Sequence, residues 1–222
     1  MRVIGDIHGK LWEYKDIIDA NPYDISIQVG DFGMGFNIEY DVIQKLKGEN
    51  YFIRGNHDNP DKCWEYINDA NLVYIPDGTE MTLDGREILF IGGAFSIDWK
   101  NRLEGVSWWR NEELSISELY DVIDRLQYRK TPYDIIISHD CPESACKLID
   151  DAYINYSDWN SRTRHALQEV LDINQPKCWI HGHWHVARKF KLGNTQFFSL
   201  PELGWVDVYR YSCKYSIISR GP

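Results

Sequence analysis

The sequence predicts an α/β protein in which strands and helices alternate and polar motifs follow the strands. Short apolar runs recur along the chain, and several lead directly into a motif of Asp, His, Asn and Gly. A helical spacing of apolar residues then follows. Loops at the carboxyl ends of neighbouring strands meet at one edge of a sheet, where α/β proteins build their sites. We therefore expect a four-layer α/β/β/α sandwich with its candidate ligands on those loops.

The first half of the chain repeats this unit three times. The apolar runs that lead to a polar motif lie at 3–4, 25–29 and 51–53. A helical pattern follows each run, at 11–18, around Val42 to Leu46, and from Lys62 to Asn68. This order indicates three consecutive strand, ligand loop and helix units.

The second half has more strand character. Asp84-Gly85 lies between two short apolar runs and predicts a hairpin, since this pair favours tight two-residue turns. Ser115 and Glu118 form a capping-box pattern that predicts a helix ending near Tyr128. Another helix is predicted over about 160–174. The tail is predicted as antiparallel strands at Val186–Leu192, Thr195–Ser199, Trp205–Tyr209 and Tyr215–Ile218.

Length and composition indicate one globular unit. The chain has 222 residues, and no repeat or linker divides it, so we expect a single domain over residues 1–222. A lid or insert is expected at about 94–114, because long connections in compact domains tend to be binding loops.

Apolar runs are too short to span a bilayer. Residues 1–4 are expected to form a strand rather than a signal segment, and the five cysteines include no Cys-x-x-Cys pair. A cytoplasmic protein with reduced thiols is therefore expected.

Six of the seven histidines lie in or beside short motifs that contain Asp, Asn or Gly. In chain order the motifs are Asp6-Ile7-His8, Gly30-Asp31, Gly55-Asn56-His57-Asp58, Ser138-His139-Asp140 and Gly182-His183-Trp184-His185. Imidazole nitrogens with carboxylate or amide oxygens suit divalent transition metals. A lone histidine is more often a surface or core residue than a ligand. Five such motifs in one chain nevertheless predict one metal centre.

The order and spacing of the five motifs resemble the signature of the calcineurin-like metallophosphoesterase superfamily. The resemblance spans residues 6–185 and implies the fold of that superfamily. It also implies two divalent metal ions, with Mn²⁺ the first choice and Fe, Zn²⁺ or Co²⁺ as alternatives. The implied ligands of the first metal are Asp6, His8 and His185, and those of the second are Asn56, His139 and His183. Asp31 would bridge the two metals.

The resemblance further implies hydrolysis of a phosphate monoester or diester by a hydroxide held between the metals. His57 would protonate the leaving oxygen as general acid, and Asp58 would orient its imidazole and raise its pKa. Arg54 could fork two donors onto a phosphate or could be a surface cation at the end of a strand. The arginine that protein serine/threonine phosphatases carry in the second motif is missing after Asp31, which argues against a dedicated protein phosphatase.

The segment from Ser96 to Asn111 is rich in aromatic and basic side chains. Trp108, Trp109 and Arg110 could form a substrate-binding wall beside the metals. Alternatively, the tryptophans could pack the segment onto the domain while the cations stay in water. His181 is not required by the resemblance, and a supporting or packing role is favoured for it over ligation.

Several functions are compatible with these motifs. A phosphoesterase acting on a phosphorylated small molecule or nucleotide is favoured, and a protein phosphosubstrate is less favoured. A nucleic-acid phosphodiesterase or nuclease is a second possibility, although the net charge of −10 disfavours long polymers and membrane surfaces. A non-catalytic scaffold of the same fold would be expected to lose ligands or His57, and this chain keeps them. The oligomeric state is not predicted.

Overall fold

The computed structural model describes residues 1–36, 38–149 and 161–209, and the backbone of 217–218. Over these residues the strands, β1 to β12 in chain order, are Arg2–Ile4, Ile25–Gln28, Glu49–Phe52, Val73–Tyr74, Thr79–Leu83, Arg86–Ile91, Ile135–Ser138, Cys178–His181, Arg188–Leu192, Thr195–Ser199, Trp205–Asp207 and Ile217–Ile218. The α-helices, α1 to α6, are Leu11–Asp19, Tyr40–Ile43, Pro60–Cys63, Ile116–Tyr128, Glu143–Ile149 and Arg162–Ile173.

The described strands form two six-stranded sheets. The first sheet has the order β12-β11-β1-β2-β3-β4, in which β1 to β4 are parallel and β11 and β12 are antiparallel additions. The second has the order β5-β6-β7-β8-β10-β9, with a parallel centre and an antiparallel strand at each edge. Within the tail, β9 pairs antiparallel with β10 and β11 with β12, as predicted, whereas β10 joins β8 of the second sheet in parallel. The tail is divided between the sheets, because β9 and β10 extend the second sheet and β11 and β12 extend the first.

Three buried clusters separate four layers and confirm the predicted α/β/β/α architecture. Alternation along β6 shows the arrangement: Ile88 and Phe90 join the cluster between the two sheets, whereas Leu89 and Ile91 join the cluster beneath α4 to α6. A third cluster, which includes Tyr14 of α1, lies between the first sheet and α1 to α3. Among the described residues, no helix combines the length and apolar character needed to cross a membrane.

Local signals set several element boundaries. The capping box is confirmed, since Ser115 Oγ accepts from the Glu118 N–H while the Glu118 carboxylate accepts from the Ser115 N–H. The hairpin at Asp84-Gly85 is also confirmed, and both residues have positive φ. The helix predicted from Lys62 to Asn68 is wrong in its bounds. Helix α3 begins earlier, at Pro60, because the Asn59 side chain caps it, and a 3-10 turn replaces it from Trp64.

The loops that carry the candidate ligands follow the carboxyl ends of parallel strands, as predicted. They come after β1, β2 and β3 of the first sheet and after β7 and β8 of the second. The two sheets pack face to face, so these five ends lie at one edge of the sandwich. That edge brings together residues separated by up to 179 positions in the sequence.

Candidate metal centre

Four candidate ligands form a compact group at this edge. One ligand atom from each of Asp6, His8, Asp31 and His185 lies within 4.8 Å of the others. His185 Nε2 is 2.9 Å from Asp6 Oδ2 and 3.1 Å from His8 Nε2. The set matches the predicted first subsite together with the predicted bridging residue.

The predicted second subsite is centred on His139. Its Nδ1 donates to the Val29 carbonyl at 2.8 Å, which leaves Nε2 as the ring nitrogen that a metal could bind. His139 Nε2 lies 3.1 Å from Asn56 Oδ1 and 3.4 Å from Asp31 Oδ1. The His183 ring is adjacent, with its centroid 5.1 Å from that of His139, although its Nε2 faces Asp140 Oδ2 at 3.9 Å. The structure thus places His183 beside this set rather than in direct contact with Asn56.

Asp31 lies between the two groups. Its Oδ1 is the oxygen near His139 and also accepts the His57 backbone N–H at 2.8 Å, whereas its Oδ2 is 3.9 Å from His8 Nε2. Burial alone would raise the pKa of Asp31, but the neighbouring His139 imidazole outweighs burial and holds the pKa well below its usual value. The carboxylate is therefore ionised, with one oxygen toward each group.

Unusual backbone conformations mark four of the candidate ligands. His8, Asp31, His183 and His185 all have φ between 46° and 64°, a left-handed region that is rare for residues with a Cβ atom. Such conformations cost free energy and persist where the surrounding structure holds them, as they do at functional sites. The sequence motifs contained no direct sign of this strain.

The glycines of the motifs allow the ligands to approach the backbone closely. A Cβ atom on Gly182 would lie 2.0 Å from Asp6 Oδ1, and one on Gly55 would lie 2.1 Å from Asp31 Oδ1. No side chain fits at such distances, so these two positions require glycine. The His183 N–H then donates to both oxygens of Asp6 at 3.1 Å and fixes that carboxylate.

His57 borders the first ligand group, but its imidazole is not oriented by Asp58. The rings of His57 and His8 are 5.2 Å apart. Asp58 is fully buried, and its two oxygens accept the backbone N–H groups of Phe32, Gly33, Met34 and Gly55 at 2.7–3.1 Å. The predicted contact is wrong because Asp58 instead holds together the loops after β2 and β3. Burial lowers the pKa of His57, which the prediction had raised. The charge of Asp31 opposes this shift, and that of Arg102 adds to it.

Arg54 has no free donor for a phosphate in this structure, contrary to the prediction. It is buried, and its Nε and Nη2 each lie 2.7 Å from Asp77 Oδ2. Its Nη1 donates to the carbonyls of Asn111 and Glu112 at 2.8 Å, and Nη2 reaches the Glu113 carbonyl at 3.3 Å. The guanidinium therefore binds the segment 111–113 to the end of β3.

A second contact joins the 94–114 segment to the centre. The Asn56 side-chain amide donates to Ser96 Oγ at 2.9 Å, and Ser96 donates to Glu112 Oε2 at 2.6 Å. The Ser96 backbone N–H donates to the other oxygen of Glu112 at 2.8 Å. Burial raises the pKa of Glu112. Sequence analysis missed both Ser96 and Glu112, since neither lies in a motif.

The three residues predicted to form a substrate-binding wall, Trp108, Trp109 and Arg110, have different surroundings. Trp109 is 7% exposed and packs edge-on against Phe36, so it holds the segment to the domain. Arg110 is on the surface and pairs with Glu104 at 3.0 Å, away from the ligand groups in its contacts. Trp108 packs against Trp99 with ring centroids 5.4 Å apart. For Trp109 and Arg110, packing of the segment onto the domain with the cation in water is therefore a better explanation than a substrate-binding wall.

Two further buried groups support the last motif. Asp140 accepts from Arg164 Nε at 2.8 Å, Trp184 Nε1 at 2.9 Å and the Cys141 N–H at 2.8 Å. The adjacent Arg164 outweighs burial and holds the pKa of Asp140 well below its usual value. His181 is fully buried, and burial lowers its pKa to about 4. Its Nδ1 lies 3.0 Å from the Gly182 carbonyl, so the ring is held against the backbone of its own motif.

The chemistry of the donor set fits divalent cations. Two imidazole nitrogens, His8 Nε2 and His185 Nε2, face each other at 3.1 Å beside two buried carboxylates. Asp6, His8, Asp31 and His185 would hold a divalent cation through these imidazole nitrogens and carboxylate oxygens. In the second group, His139 Nδ1 is bound to the Val29 carbonyl, so a cation would displace the Nε2 proton and be held by Nε2 and Asn56 Oδ1, which lie 3.1 Å apart. The mixed nitrogen and oxygen set suits transition metals better than Ca²⁺.

Comparison with known proteins agrees with this geometry. The profile of the calcineurin-like phosphoesterases matches residues 2–187, and the chain belongs to that family. The family is one of metal-dependent phosphoric ester hydrolases. A search of curated proteins finds no match.

Solved structures with the same fold are distant in sequence. The chain is similar to TT1561 of Thermus thermophilus, with a TM-score of 0.59 and 14% identity over 97% of each chain. It is also similar to the phosphopantetheinyl hydrolase PptH from Mycobacterium tuberculosis, with a TM-score of 0.53 and 14% identity over 90% of this chain and 89% of that chain. A putative 5′-nucleotidase from Staphylococcus aureus has a TM-score of 0.52 and 10% identity over 98% of this chain and 52% of its own. These likenesses show the fold alone.

Proposed function

We propose that this chain is a binuclear metal-dependent phosphoesterase that hydrolyses a phosphate ester of a small molecule or nucleotide. The observation that carries the proposal is the position of Asp31, whose Oδ1 faces His139 and whose Oδ2 faces His8. A carboxylate shared between two ligand groups offsets the repulsion between two cations held close together. Mn²⁺ is the proposed metal, and Fe, Zn²⁺ and Co²⁺ suit the same donors.

The metals and the protein side chains have separate roles in this proposal. Bound divalent cations would supply a hydroxide at neutral pH and offset charge on the phosphoryl group. Asp6, His8 and His185 would hold one metal, and Asn56, His139 and His183 the other, with Asp31 common to both.

His57 is the proposed general acid for the leaving oxygen. Its ring borders His8, and its backbone N–H is fixed by Asp31 Oδ1 at 2.8 Å. No carboxylate is in contact with the imidazole among the described residues, so the proton is not supplied through an Asp58 pair. The imidazole instead faces the guanidinium of Arg102, and the nearby charge of Asp31 offsets part of the effect of that cation on the acid.

A non-catalytic scaffold is the alternative from a different class. The retention of all seven proposed ligands and of His57 favours catalysis over that alternative. A nucleic-acid substrate is less favoured, because the net charge is −10.

Hydrolysis by the purified protein tests the proposal. p-Nitrophenyl phosphate, bis-p-nitrophenyl phosphate and cyclic nucleotides are assayed with Mn²⁺, Fe²⁺, Zn²⁺ or Co²⁺ after removal of co-purified metal. Metal-dependent turnover of at least one substrate is expected, and His8→Ala should abolish it. Arg188→Ala, at an exposed position on β9, serves as the control. The absence of turnover with every metal would favour the scaffold.

A further inference from the structure

Arg102 presents its guanidinium to the imidazole of the proposed general acid. Its Nη1 lies 3.1 Å from His57 Nδ1, and its Nη2 lies 2.8 Å from His57 Nε2. The third nitrogen, Nε, pairs with Asp98 Oδ1 at 2.8 Å. Arg102 lies in the 94–114 segment, so the segment delivers a positive charge to the edge of the metal centre.

The contact between Arg102 and His57 leaves hydrogen-bonding capacity unused. A guanidinium nitrogen only donates, and a neutral imidazole has one accepting nitrogen. At most one of the two short contacts can therefore be a hydrogen bond. A protonated His57 would accept neither, and it would also carry the same charge as Arg102. The two η nitrogens carry four N–H groups, and their remaining protein partner, the Ser107 carbonyl, is a marginal 3.5 Å away.

Two further arginines near the centre are paired with buried carboxylates. Arg54 is held by Asp77 and three carbonyl groups, and Arg164 by the fully buried carboxylate of Asp140. Asp98, the acidic partner of Arg102, is 48% exposed, and Arg102 itself is 15% exposed. The Arg102 charge is thus sheltered by the segment but only partly neutralised. A sheltered guanidinium with spare donors is the arrangement that binds phosphate.

We propose that Arg102 binds a terminal oxygen of the substrate and that this makes the chain selective for phosphate monoesters. The inference rests on the proposed phosphoesterase function. A monoester has three terminal oxygens and a charge between −1.5 and −2 near neutral pH, whereas a diester has two terminal oxygens and a single charge. Arg102 is placed to take the additional oxygen and charge. In a diester an uncharged ester arm occupies that position and gains nothing from the guanidinium.

The test compares two substrates that share a leaving group. Rates with p-nitrophenyl phosphate and bis-p-nitrophenyl phosphate are measured for the wild type, Arg102→Met, Arg102→Lys and Arg110→Met, all loaded with Mn²⁺. Arg110 is the control, because it is an arginine of the same segment whose charge is paired with Glu104 on the surface. Calorimetry with inorganic phosphate gives a second measure that does not depend on turnover.

For Arg102→Met we expect a loss of about 10- to 100-fold in kcat/KM for the monoester, as is typical of a hydrogen bond to a charged group. Its phosphate affinity should fall by a similar factor, and Arg102→Lys should give values between those of Arg102→Met and the wild type. The rate of Arg102→Met with the diester, and the rates of Arg110→Met with both substrates, should change less than about threefold. Equal losses for both substrates, or no loss of phosphate affinity, overturn the inference while leaving the phosphoesterase proposal intact. A wild-type protein that hydrolyses neither substrate overturns the phosphoesterase proposal and this inference with it.

Discussion

The side-chain amide of Asn56 donates to Ser96 Oγ at 2.9 Å, and this contact fixes the direction in which the amide faces. With Nδ2 held by Ser96, Oδ1 is the atom that faces His139 Nε2 at 3.1 Å. Ser96 is itself held by Glu112 from the other end of the 94–114 segment. The segment therefore orients a proposed metal ligand that lies outside it.

Substitution of Ser96 by alanine is expected to weaken metal binding at the second subsite by about 10- to 100-fold, as loss of a supporting partner does at other metal sites. The reason is that Asn56 Nδ2 loses its acceptor, and the amide can then rotate its oxygen away from His139. Metal content measured by mass spectrometry across a Mn²⁺ titration should show the second ion binding more weakly and the first unchanged. Ser107→Ala, in the same segment, is the control, and an unaltered second affinity in Ser96→Ala would contradict the role given to Ser96.

His57→Ala is expected to retain its metals and to lose about 10²- to 10⁴-fold in hydrolysis of alkyl phosphates, the range typical of general acid catalysis. The loss should be much smaller for p-nitrophenyl phosphate, because p-nitrophenolate leaves without a proton. Rates for the two substrates, with metal content measured alongside, distinguish proton donation from damage to the site. An equal loss for both leaving groups would remove His57 from the role of acid.

Arg54→Met is expected to destabilise the fold by about 3–5 kcal/mol, because it leaves the carboxylate of Asp77 buried without its partner. The side chains of Arg54 and Asp77 are 5% and 2% exposed. Urea unfolding gives the free energy, and the double variant with Asp77→Leu should recover part of the loss. If the single variant unfolds like the wild type but loses phosphate affinity, Arg54 binds substrate after all.

The stability of the metal-free protein should fall as pH rises from about 6.5 to about 10. Burial would lower the pKa of His139, but Asp31 outweighs burial and raises the pKa from 6.5 to about 10. A raised pKa means that the folded state binds the proton more tightly, so the stabilisation is complete below about pH 6.5 and is lost through about pH 10. Urea unfolding of chelator-treated protein across this pH range should show that the free energy of unfolding falls more steeply in the wild type than in His139→Asn. Parallel curves would show that His139 does not hold this proton.

The strand ends that carry the candidate ligands were predictable because they depend on local patterns. Asp6, Asp31, Asn56 and His139 each follow an apolar run closely. Such a run predicts a strand, and the polar residue is then placed in the loop after it. Parallel strands bring the loops at their carboxyl ends together at one edge of the sheet. The capping-box pattern likewise predicted α4, because Ser115 and Glu118 lie within four residues of each other. These signals require no knowledge of distant partners.

The roles of Asp58, Arg54 and Arg102 depend on partners that no local pattern specifies. Asp58 meets backbone N–H groups 24 to 26 residues earlier, and Arg54 meets a carboxylate 23 residues later. Arg102 reaches His57 across 45 residues from a segment without a periodic pattern. A motif can therefore identify a charged residue as important and still give it the wrong partner.

The number of metal ions bound by the wild type and by Asp31→Ala tests the binuclear proposal most directly. Each protein is stripped of metal, titrated with Mn²⁺ and measured for bound metal per chain, with His185→Ala as a comparison that removes one ligand of the first subsite. The wild type should bind two ions, His185→Ala should keep the second subsite, and Asp31→Ala should lose tight binding at both. A single ion in the wild type, or two tightly bound ions in Asp31→Ala, would contradict a centre that shares Asp31.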